Sequence, residues 1–133
     1  MEKLLWEIIE DSKQNKAFLK SEVQFETLKR RLSQYGEQTN KELMDEFHKL
    51  WEKLRLSDEF ERLHEEEGGI ISDDWSYEQF YMDFGSWIVA QGKDLYYMFF
   101  REGHEAVLSY IEERGVTEED YMFESMMYAF KGD

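Results

Sequence analysis

The chain has 133 residues, no cysteine and no proline, and its 31 acidic side chains against 16 lysines and arginines give a net charge of −15. Without cysteine there is no disulfide framework, no thiolate metal site, no thiol redox chemistry and no cysteine nucleophile. Hydrophobic residues at 41 % and aromatics at 17 % set the chain apart from disordered sequences, and its length predicts one helical domain, residues 1–133, burying about two thirds of its unfolded surface.

The apolar spacing predicts a first helix from Glu2 to about Asn15, with Leu4, Leu5, Ile8 and Ile9 on one face and Trp6 beside it. Ser21 with Gln24 has the pattern of a capping box and opens a second helix through Phe25, Leu28 and Leu32, ending at Tyr35 and Gly36. Its bases Lys29, Arg30 and Arg31 stand at the C-terminal end, where the helix dipole favours them. A second such pattern, Thr39 with Glu42, opens a third helix carrying Leu43, Phe47, Leu50, Trp51 and Leu54. Ser57 restarts a short fourth helix with Phe60 and Leu63, stopped by Gly68 and Gly69.

A fifth helix is predicted from Tyr77 to Gln91, capped by Ser76 with Gln79 and turning Phe80, Phe84, Trp87 and Ile88 inward. Gly92 permits a bend before a short helix from Asp94 to Arg101, and residues 104–114 form the next, ended by Gly115. Thr117 with Asp120 opens the last helix, with Tyr121, Met127, Tyr128 and Phe130. No stretch shows sustained alternation with period two, so no strand is assigned, while short apolar runs such as Asp94 to Phe100 stay open between helix and strand. The predicted fold is mainly α, an irregular or orthogonal bundle of about six to seven short helices. A long up-and-down four-helix bundle is the second choice.

The acidity is uneven. Residues 61–133 hold 18 acids and 5 bases, a net of −13, and 15 of the 22 aromatics. Direct binding to nucleic acid or an anionic membrane is therefore not expected, because phosphate recognition needs clustered lysine and arginine. Such a balance serves solubility in many proteins, and it also steers a chain toward a basic partner. Aromatic density between Trp75 and Phe100 exceeds what one narrow helical face can bury, so some rings are expected at the surface or in a groove.

Catalytic patterns are absent from the sequence. His48, His64 and His104 lack the four-residue spacing of paired metal ligands, no GxSxG elbow occurs, and Gly68 and Gly69 lack the residues that complete a phosphate-binding loop. Carboxylates remain the one chemical resource. Glu65, Glu66, Glu67, Asp73, Asp74, Glu78 and Asp83 lie close in sequence, and hard cations take oxygen ligands, which makes Asp73, Asp74 and Glu78 candidate metal ligands. The competing role for Asp73 or Asp74 is to satisfy free N–H groups at a helix start.

Two stretches resemble a known family. LLWEIIEDSK is similar to an "FWxLIdxxr" start, and GGIISDD followed by FYMDFGSWIVAQGKDLYY resembles a "GGcSDDxFxxFRxWLIxqGkxvy" centre, the pattern of the bacterial domain of unknown function 4240 family. The resemblance covers about residues 1–100 and implies a small, mainly helical protein with no established activity and no residue roles to carry over. Two departures stand out: extra residues follow Asp74, and Gly85 stands where the pattern has arginine. An arginine there would be placed to pair with an aspartate of the SDD segment.

The expected function is that of a non-enzymatic, cytoplasmic interaction protein without cofactors, since the start of the chain carries acids inside its apolar pattern and no stretch has the length of a membrane span. It presents Glu65, Glu66, Glu67, Asp73, Asp74, Trp75, Tyr77 and Tyr81 to a basic protein, as an inhibitor or immunity-type protein would, including one that imitates nucleic acid. The alternative is a divalent-metal module or enzyme centred on the SDD segment.

Overall fold

In a computed structural model, residues 1–13, 21–65 and 77–115 are described. Helix α1 (Glu2–Ser12) buries Leu5, Trp6, Ile8, Ile9 and Ser12, and the last hydroxyl turns back to donate to the Ile9 carbonyl at 2.5 Å. It stops short of Asn15, with Lys13 closing the last turn. Helix α2 (Ser21–Leu32) presents Gln24, Thr27, Leu28 and Leu32 inward and keeps its three bases in the last turn, as expected. A short turn leads to α3 (Glu37–Arg55).

The start of α3 differs from the capping pattern at Thr39. Gly36 is the residue before the helix, and its carbonyl already accepts the Asn40 N–H at 3.0 Å, so Thr39 lies inside the first turn. Asn40 then donates from Nδ2 to the Leu32 carbonyl at 3.1 Å, which also accepts the Tyr35 N–H, tying the start of α3 to the end of α2. With 19 residues α3 is about 28 Å long, the longest described element, and it touches α1, α4 and the segment around residue 85.

Helix α4 (Asp58–Glu65) starts as predicted, with the Ser57 hydroxyl accepting the Glu59 N–H at 3.2 Å. The rod from residue 77 to 90 is not a uniform helix: α5 (Tyr77–Phe80) passes through a π-helical turn (Tyr81–Gly85) into α6 (Ser86–Ala90). A π turn disturbs the regular backbone ladder, and side-chain donors serve its carbonyls here. The Trp51 indole N–H donates to the Tyr81 carbonyl at 2.9 Å, and the Ser86 hydroxyl donates to the Met82 carbonyl at 2.7 Å.

Gly92, at φ 106°, ends that rod, and α7 (Lys93–Glu102) and α8 (His104–Arg114) follow, hinged by Gly103 at φ 92°. The predicted helix beyond Thr117 lies outside the described residues. Among the described residues there is no strand, and no helix is long and apolar enough to cross a membrane. The architecture is the mainly α, irregular bundle of short helices expected from the sequence.

One core joins these elements. Every residue from Phe84 to Gln91 is buried, which is why this rod reads as almost continuously apolar. Phe80 stacks on Phe84 at 4.9 Å, Trp51 on Tyr81 at 4.6 Å with a 7° interplanar angle, and Tyr96 donates its hydroxyl to the Leu50 carbonyl at 2.6 Å. Each such ring contributes roughly 1.5–3 kcal/mol by leaving water. Most of the aromatic excess is consumed in this way, while Tyr97 and Phe100 on α7 remain exposed at 37 % and 42 %.

Candidate functional site

Because α1 turns its apolar residues inward, its outer edge is left to charged side chains. Glu2, Lys3, Glu7, Glu10 and Asp11 line one wall of a groove of about 670 Å³, with Trp6 at its base and Lys93 and Asp94, from the start of α7, on the other side. Glu2 Oε2 accepts hydrogen bonds from Tyr97 Oη at 2.5 Å and Trp6 Nε1 at 3.0 Å, and these two donors hold its carboxyl below the usual range. Burial and the Glu2 carboxylate push the Tyr97 hydroxyl up to about 12. Glu10 pairs with Lys13 at 3.6 Å and Asp11 with Arg31 at 3.1 Å. Among the described residues Glu7 and Asp94 have neither a hydrogen bond nor an ion pair.

Two further grooves border the core. One, of about 240 Å³, lies over the π turn, where Arg55 pairs with Glu78 and holds its guanidinium 5.1 Å from the Tyr81 ring, with His48 and Glu52 alongside. The other, of about 460 Å³, runs between α7 and α8 past Glu102, Glu105 and Glu113, with Arg114 drawn 3.8 Å over Tyr110.

The residues singled out from the sequence fall differently. Glu66, Glu67, Asp73, Asp74 and Trp75 lie outside the described residues, and Glu65 and Tyr77 mark the end of α4 and the start of α5. Tyr81 is only 6 % exposed, because the π turn lays its ring against Trp51, and it borders the groove over that turn. Glu78 is exposed and already matched by Arg55. Among the described residues no three His, Asp or Glu side chains converge to hold a metal ion. The α1 carboxylates were missed because the first sixty residues are nearly neutral as a sum. The usable signal was positional: acids at 2, 7, 10 and 11 all fall off the apolar stripe of α1.

The two stretches that carry the family resemblance meet in space. Lys13, ending LLWEIIEDSK, donates from Nζ to the Gln91 carbonyl at 2.8 Å, where a cation also meets the negative end of α6. Gln24 donates from Nε2 to the Ala90 carbonyl at 2.6 Å and to Ser12 Oγ at 3.0 Å. That amide is thus committed to a tertiary contact, a role the capping pattern with Ser21 did not suggest. Gln91 accepts the Tyr110 hydroxyl at 2.9 Å, and burial pushes that hydroxyl up to about 12. The Gln-Gly pair of the central pattern is therefore a helix-ending device. Gly92→Ala should lower stability by about 1–2 kcal/mol, since its φ of 106° is a backbone conformation that side chains rarely adopt and a Cβ would run into the Glu10 carboxylate. Chemical denaturation reads this directly, and an unchanged midpoint would refute it.

A second polar tie joins α4 to α8. Glu59 Oε2 accepts from His104 Nδ1 at 2.6 Å and from the His104 backbone N–H at 3.1 Å, so one carboxylate caps the start of α8 from another helix. Gly103 makes this approach possible, as a Cβ there would sit 3.0 Å from Glu59 Oε1. The His104 side-chain bond, then the backbone bond, hold the Glu59 carboxyl below its ordinary value of 4.5. A depressed carboxyl contributes stability that is present above its unfolded value and lost as pH falls through the folded one. Urea stability should accordingly drop below about pH 4.5, and Glu59→Gln should flatten part of that drop. Glu59 is 37 % exposed, so solvent screening keeps the effect modest. An identical acid limb in the variant would remove Glu59 from the account.

No curated protein and no solved structure matches this chain. The family described as Protein of unknown function (DUF4240) matches over residues 1–132, which extends the likeness through the C-terminal quarter beyond the two stretches that first suggested it. The chain belongs to that family.

Proposed function

We propose that this protein acts by binding a basic protein partner through its acidic surface. The observation that carries this reading is that each of the three grooves is lined by more carboxylates than lysines or arginines, in a chain of net charge −15. The concrete form is an inhibitor or immunity-type protein, whose carboxylates occupy the places a phosphate backbone would take on the partner. Charge complementarity of this kind sets the association rate and partner choice more than raw affinity, and salt screens it. The test is capture from a lysate of the source organism on the immobilised chain. A partner is expected to be retained at low salt and released at moderate salt, and the absence of any salt-sensitive partner overturns the proposal.

A further inference from the structure

We infer that the groove between α1 and α7 is where a cationic segment of the partner seats, with a lysine or arginine of that segment held between Glu7 and Asp94. This rests on the basic-partner reading above and adds a place and an anchor to it. Three of the groove's five carboxylates are occupied within the chain: Glu2 by Trp6 and Tyr97, Glu10 by Lys13, Asp11 by Arg31. Glu7, from α1, and Asp94, from α7, are both exposed and without a side-chain pairing among the described residues. With Glu2, whose two donors are neutral, they outnumber the groove's Lys3 and Lys93, so an incoming cation still meets a net negative groove in which these two carboxylates are the ones open to pair.

The other grooves offer less. Over the π turn, Arg55 already neutralises Glu78, and between α7 and α8 the Arg114 guanidinium lies across Tyr110 beside the acids. The α1 groove is the largest of the three, in the size range of sites that enclose a ligand, and its base is the Trp6 ring. Tyr97, joined to Glu2 and 37 % exposed, adds exposed aromatic area next to it. Aromatics beside a charged rim are the composition that interface centres favour. An amphipathic cationic segment, with apolar residues on the aromatics and a cation between the walls, fits both features.

The probe is a short amphipathic peptide of lysine and leucine, titrated into the isotope-labelled chain and followed by amide and indole NMR signals. Shifts are expected to centre on residues 2–13 and 93–97 and to include the Trp6 indole N–H. The pair Glu7→Lys with Asp94→Lys should weaken binding by about tenfold or more. Asp45→Lys with Glu61→Lys, two exposed carboxylates on α3 and α4 giving the same net charge, should leave it within about twofold. Equal weakening by both pairs, or shifts centred elsewhere, overturns the groove assignment while the basic-partner reading stands. No binding even at low salt overturns both.

Discussion

Gly85→Arg is expected to destabilise the fold by about 4 kcal/mol or more, although arginine is the residue the family pattern has at this position. The reason is steric before it is electrostatic. Gly85 is buried in the π turn, and a Cβ there would lie 2.8 Å from Trp51 Nε1, 3.0 Å from Trp51 Cδ1 and 3.5 Å from Phe60 Cζ. Trp51 cannot retreat freely, because its N–H is committed to the Tyr81 carbonyl and its ring to the Tyr81 face. Even Gly85→Ala should cost about 1–3 kcal/mol, the usual penalty of overpacking a filled core. The longer side chain adds a charge with no water to receive it. Thermal and chemical denaturation measure both variants. Truncating the obstacle supplies the sharper test: Gly85→Arg combined with Trp51→Ala should lose less than the two single changes added together, since one opens the space the other fills. Strict additivity, or a stable Gly85→Arg protein, would mean that Trp51 is not what requires glycine here. In this chain, then, the indole takes over the space next to the turn, and the ion pair suggested by the pattern has no room at this point.

What sequence could and could not deliver follows from how far apart the deciding residues lie. The stripe Leu5, Ile8 and Ile9 and the set Phe80, Phe84, Trp87 and Ile88 were legible because helix periodicity is local, and all are fully buried. Ser57 was legible for the same reason. The π turn was not, because its carbonyl is served by Trp51, thirty residues earlier in the chain. Thr39 with Glu42 satisfied a local pattern, yet Gly36 had begun the helix one turn sooner. Tyr81 looked like surface for want of any sign that a second ring would cover it. The candidate site shows the same limit in charge rather than shape. A half-chain sum pointed to residues 61–133, whereas the largest of the three grooves draws four of its five carboxylates from α1, where lysines and arginines elsewhere in the first sixty residues nearly cancel the total while only Lys3 and Lys93 reach the groove itself.

Gln24→Leu is expected to lower stability by about 2–4 kcal/mol despite conserving volume and adding apolar character. Gln24 is 1 % exposed, and its amide nitrogen supplies the hydrogen bond that Ala90, in the last turn of α6, cannot obtain from within its own helix. Leucine would leave that carbonyl buried and unpaired, and remove the donor to Ser12 Oγ as well. Ser12 keeps its own bond to the Ile9 carbonyl, so most of the loss should come from Ala90. Gln24→Glu separates hydrogen bonding from packing. At neutral pH a carboxylate would face the Ala90 carbonyl oxygen with no proton between them, and this variant should be less stable than Gln24→Leu. Protonation turns the same group into a donor, so its deficit relative to the parent should shrink as pH falls toward the carboxylate range, the direction opposite to the loss expected from Glu59 and Glu2. Denaturation midpoints at neutral and mildly acidic pH distinguish the cases. If Gln24→Leu is neutral within about 0.5 kcal/mol, or the Gln24→Glu deficit stays constant with pH, then the junction of α1, α2 and α6 is held by packing alone and the polar tie is incidental.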